Sequence, residues 1–105
     1  MWEEMNTESN TRWLDDLKSI TFARDTFAMK GGARGVAEDS QGRICATYAI
    51  CQTERTYDHV RLVHIVNIVS REMFGKSLIR VNDTLGIEAV LQVFDKTIAH
   101  LAEQA

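Results

Sequence analysis

Two groups of polar side chains in this sequence have the types and spacing to do chemistry. Arg61, His64, Asn67 and Arg71 recur at intervals of three and four, which on a helix sets guanidinium, imidazole and amide groups in one row. Such a row can line a cleft for an anionic ligand, because a guanidinium holds carboxylate or phosphate through paired hydrogen bonds. It can equally be the solvated edge of an otherwise buried helix, with Arg71 paired to Glu72 or to an acid on the last helix. Asn82-Asp83 is the second group. At a helix N-terminus this pair could contact a ligand beside free backbone N–H groups. Alternatively Asp83 or Thr84 caps those same groups.

The remaining reactive side chains point to no reaction. Cys45 and Cys51 would lie about 9 Å apart along a helix axis or about 20 Å apart on a strand. A disulfide needs Cα atoms within about 7 Å, so they are expected to be small buried thiols in a reducing compartment. Nothing local supports a cysteine–histidine nucleophile and base. His59 and His64 are five apart and diverge on a helix, and neither C-x-x-C nor H-x-x-x-H occurs. No metal ligand, no catalytic residue and no cofactor is therefore expected. Gly31, Gly32 and Gly35 have the wrong spacing for a phosphate loop.

The elements that must position these groups are mostly helical. Ser9-Asn10-Thr11 supplies N-cap types, and Trp13, Leu14, Leu17, Ile20, Phe27 and Ala28 follow as one stripe until Lys30-Gly31-Gly32 stops the helix. Phe22 and Met29 lie opposite that stripe, seven residues apart. Asp39-Ser40-Gln41-Gly42 is a turn. Residues 44–51 read either as a strand or as a helix, since short apolar runs fit both. Thr56 and Asp58 open the next helix, whose apolar residues between Val60 and Phe74 cover more than half the circumference. So wide an apolar face predicts a central helix packed on several sides. Ser77 to Val81 reads as extended, and Ile87, Val90, Leu91, Phe94, Ile98, Leu101 and Ala102 form the last amphipathic stripe.

Composition agrees with this picture. The chain has 105 residues, 45% hydrophobic and 26% charged, and no proline, so nothing interrupts long helices. Twelve basic against fifteen acidic residues give a net charge of −3, with the basic residues scattered singly. That balance argues against a nucleic-acid partner, which would require a basic face. Met1-Trp2-Glu3-Glu4 is acidic and unlike a signal peptide, and no apolar run reaches a membrane span. A cytoplasmic location follows as the expectation.

The stretch Ala33 to Arg43, with Asp39, Gly42 and Arg43, resembles the "GA-x-A-x-D-x-x-G-R" pattern of a family of small bacterial proteins of unknown function. Cys45-Ala46-Thr47-Tyr48-Ala49-Ile50 is similar to its "C-A-x-G-A-L" stretch, and Ser77 to Asp83 to its "S-I-x-x-W-N-D". The resemblance spans roughly residues 12 to 102. Val81 stands for the tryptophan, Tyr48 for a glycine, and a proline usual after the Asn-Asp pair is missing. The resemblance implies a mostly helical domain, favours helix over residues 44–51 and implies no activity.

The sequence thus predicts a mostly α single domain of about four helices, near 10–29, 45–53, 57–74 and 85–103. Short strands at 34–38 and 77–81 are expected beside them, and residues 1–9 form a flexible leader. The alternative is an α+β fold with a small antiparallel sheet. The expected function is non-enzymatic: a binding or interaction module that forms a homo-oligomer such as a homodimer, or binds an unidentified protein, using Phe22, Met29 and Trp2. The alternative is a pocket for an anionic small molecule, or a minor enzyme, built on His64, Asn67, Arg71, Asn82 and Asp83.

Overall fold

The computed structural model describes residues 2–52 and 59–104, with side chains described from Trp13 onward. Five helices occur among these residues: α1 (Trp2–Lys30), α2 (Ala46–Cys51), α3 (His59–Phe74), α4 (Leu78–Thr84) and α5 (Ile87–Ala102). The mostly α single domain predicted from the sequence holds. Thr56 and Asp58, the expected start of α3, lie outside the described residues, as does the side chain of Trp2.

The core is built where helical spacing turns apolar residues inward. Ile20, Ala23 and Phe27 of α1 are buried against Val90, Val93 and Phe94 of α5, and α1 packs chiefly along α5. The Phe27 and Phe94 rings meet at 6.1 Å between centroids, tilted by 57°, within the separation at which aromatic pairs attract. Leu62, Val66 and Val69 of α3, Ala49 and Ile50 of α2, and Leu78 and Val81 of α4 close the same core.

α1 ends at Lys30, and the next position is glycine because a side chain has no room there. A Cβ would stand 2.5 Å from the Phe27 carbonyl oxygen and 2.7 Å from the Phe27 ring. The chain then runs beside Ile44, whose N–H donates to the Lys30 carbonyl (2.8 Å) and whose carbonyl accepts from Gly32 N–H (3.1 Å). Gly31 and Glu38 each form only an isolated bridge with Ile44, so the expected strand at 34–38 does not extend. The turn at Asp39 is present: its Oδ1 accepts from the N–H of Gln41 (3.0 Å) and of Arg43 (2.9 Å).

Residues 77–81 are not a strand but the cap and first turn of α4. Ser77 is the N-cap, accepting from Arg80 N–H at 3.4 Å, and Leu78, Val81 and Asn82 are buried at helical spacing. Within residues 44–51 the stretch Ala46–Cys51 is the short helix α2, capped by the Cys45 sulfur, which accepts from Tyr48 N–H at 3.4 Å, while Ile44 forms only the isolated bridges. No named strand occurs among the described residues, which removes the α+β alternative. α3 also departs from expectation. Only its Leu62, Val66, Val69 side is buried, while Val60 and Ile68 are exposed; composition shows how apolar a helix is, not which flank its neighbours cover.

Candidate functional site

The α3 row is divided between two structural tasks and solvent. Arg61 turns toward α1 and donates two hydrogen bonds to Asp16, at 2.7 and 2.5 Å. Asp16 is 5% exposed, so its charge is compensated by this bidentate pair. Asn67 turns the other way: its Oδ1 accepts from Leu78 N–H at 2.8 Å, capping the first residue of α4. His64 and Arg71 are exposed, and neither lines the grooves described below. The four side chains do not converge on one point.

Asn82 and Asp83 do not open the last helix. They belong to α4, and the N-cap of α5 is Gly86, whose φ of 95° suits glycine and which offers no side-chain cap. Asn82 is 4% exposed. Its Oδ1 accepts from Ala46 N–H (3.0 Å), and its Nδ2 donates to the Ala33 carbonyl (2.8 Å) and to Asp83 Oδ1 (2.9 Å). Asp83 Oδ1 accepts in turn from Gly35 N–H at 3.0 Å. The pair fastens residues 33–35 and the start of α2 onto α4.

Among the described residues, two of the open grooves flank the core. One, of about 390 Å³, lies between α1, α3 and α5, with Trp13, Ile65, Ile68 and His100 around the Asp16–Arg61 pair. The other, of about 360 Å³, is bounded by Val36, Thr47, Tyr48, Cys51, Ile79 and Asp83. Contrary to expectation the cysteines are not fully buried: Cys45 is half-buried and Cys51 exposed, both unbonded. Desolvation, and next the nearby Cys45, push the Cys51 thiol above its ordinary pKa. A thiol held neutral in this way is the reverse of an activated nucleophile.

The outer face of α1 is left uncovered among the described residues. Phe22 is 52% exposed, Met29 81% and Leu14 39%, with Lys18 and Asp25 exposed between them. All five lie within a narrow arc at 100° per residue, opposite Ile20, Ala23 and Phe27. Phe22 and Met29 were predicted to face away from the core. Leu14 and Ala28 were assigned to the core stripe and instead face outward, because they sit at the edge of that stripe and α5 covers only its centre.

No helix among the described residues is long and apolar enough to cross a membrane. No family model, curated protein or solved structure matches the chain.

Proposed function

We propose that this chain is a non-enzymatic interaction module that works as a homo-oligomer, most simply a homodimer, through the outer face of α1. The observation that carries this reading is the exposure of Phe22 and Met29 on one line of the helix. Burying a large apolar side chain contributes about 1.5–3 kcal/mol, so covering both on each of two copies favours association. The anionic-ligand reading lacks the convergence it requires, since Arg61 and Asn67 are engaged in tying helices together and His64 and Arg71 face solvent. The raised Cys51 pKa favours a binding role over thiol chemistry. Unbonded cysteines support a reducing, cytoplasmic setting, and the motif resemblance supports a bacterial source. The scattered basic residues support a protein partner rather than a nucleic acid.

Sedimentation tests the reading. The wild-type chain is expected at a multiple of its 11.9 kDa mass, and Phe22→Asp is expected to sediment as a monomer with its helical circular dichroism retained. A wild-type chain that stays monomeric at about 0.1 mM, which sets the dissociation constant above that concentration, overturns it. So does a Phe22→Asp variant that associates as the wild type does.

A further inference from the structure

The outer face of α1 has a symmetry that apolar character alone does not require. Leu14 and Met29 are equidistant from the point midway between Thr21 and Phe22, and so are Lys18 and Asp25. The first pair is apolar and the second is oppositely charged. A helix laid antiparallel on an identical helix, with the two-fold axis at that midpoint, brings each residue opposite its equidistant counterpart. We infer that the occupant of this face is a second copy of the chain in that antiparallel register, selected by Lys18 and Asp25; the inference rests on the self-association proposed above.

In this register Lys18 faces the partner's Asp25 on one side of the two-fold axis, and Asp25 faces the partner's Lys18 on the other. Leu14 covers Met29 at both ends, and the two Phe22 rings meet beside the axis. Intervals of four, four, three and four along Leu14, Lys18, Phe22, Asp25 and Met29 keep the seam nearly straight, as antiparallel helix packing requires. The parallel alternative sets Lys18 against Lys18 and Asp25 against Asp25, which repel. An unrelated partner gives no reason for the two charges to be opposite and equidistant from one point.

The side chains are placed for this use. Arg24, the cation beside Asp25, directs its Nε to Asp95 on α5 at 3.0 Å, and its contact with Asp25 is the longer one at 3.5 Å. The Asp25 side chain keeps 64% of its surface exposed, and Lys18 is exposed. Both charges therefore stand exposed between the apolar residues of the patch, where opposite charges across a seam set register and partner choice more than raw affinity.

Charge reversal tests the inference. Lys18→Glu alone turns both symmetric attractions into repulsions, and Asp25→Lys does the same. Each single variant is expected to raise the dimer dissociation constant about ten-fold at low salt, and the double variant to return it to within about two-fold of wild type. Circular dichroism and thermal melting of each variant exclude unfolding as the cause. Single reversals without effect, or a double variant no better than the singles, overturn the register. If Phe22→Asp still yields a monomer in that case, self-association through this face survives while its antiparallel geometry falls. A wild-type chain that remains monomeric overturns both.

Discussion

The amide of Asn82 joins three segments that are distant in the chain. With one acceptor and one donor it satisfies the Ala46 N–H and the Ala33 carbonyl, 36 and 49 residues away. Removing it strands two buried backbone groups, each worth about 1–3 kcal/mol when left unpaired. Asn82→Ala is therefore expected to destabilise the fold by about 2–4 kcal/mol, read as a lower urea midpoint with an unchanged slope. Asp39 offers a milder case. Desolvation acts to raise its carboxyl pKa, but the Arg43 amide, the Arg43 guanidinium and the Gln41 amide together outweigh it and hold the pKa below the ordinary aspartate value. A pKa lowered on folding means that the carboxylate stabilises the turn above the unfolded value, and that this contribution fades as pH falls through the folded one. The stability gap between wild type and Asp39→Asn is accordingly expected to be widest near neutral pH and to close under acid, as thermal melts across pH will measure. The sequence pointed to both residues, and for Asp39 it also indicated the role, because an aspartate turn is a local motif. For Asn82 it did not. Its partners are distant in the chain, and no spacing rule connects Asn82 to Ala33 or Ala46.

At the scale of elements, α3 shows how an evenly spaced row of polar groups comes apart once neighbours are in place. Arg61 serves α1, Asn67 serves α4, and His64 and Arg71 remain with solvent. Truncating Arg61 leaves Asp16 buried without its cation. Arg61→Met is expected to cost about 2 kcal/mol, less than the ~3–5 of a fully enclosed pair because Arg61 keeps a third of its side chain exposed. Pairing it with Asp16→Leu should recover most of that loss in chemical denaturation, since no lone charge then remains. Periodicity makes α5 and the body of α1 legible, although α1 starts at Trp2 and not near residue 10, where Ser9-Asn10-Thr11 resembles a cap, whereas it misses α4. A seven-residue helix shows too little of its period to be told from an extended run. Its start is defined by Ser77 and by a distant side chain, Asn67. The breadth of α3's apolar surface was visible, but its burial was not, since that depends on which helices lie against it.

The whole molecule is a long α1 with α5 laid along it and the two shortest helices wedged at the side. Both short helices, of six and seven residues, lie far below the length at which an isolated helix persists in water, about 12–15 residues. Each has its first amide held by a side chain from elsewhere, Ala46 by Asn82 and Leu78 by Asn67. Their N-caps, Ser77 and Cys45, are local, but the amides of Leu78 and Ala46 are satisfied only when α3 and α4 are in place. The slowest amides of such helices are governed by opening of the entire domain rather than by fraying of a short end. In native-state hydrogen exchange, Ala46 and Leu78 should thus be protected to nearly the same free energy as core amides such as that of Val93 on α5. If Ala46 exchanged as fast as the surface residues of the Asp39 turn, α2 would be a locally melting appendage, and Asn82 would be a contact made after folding rather than a condition for it.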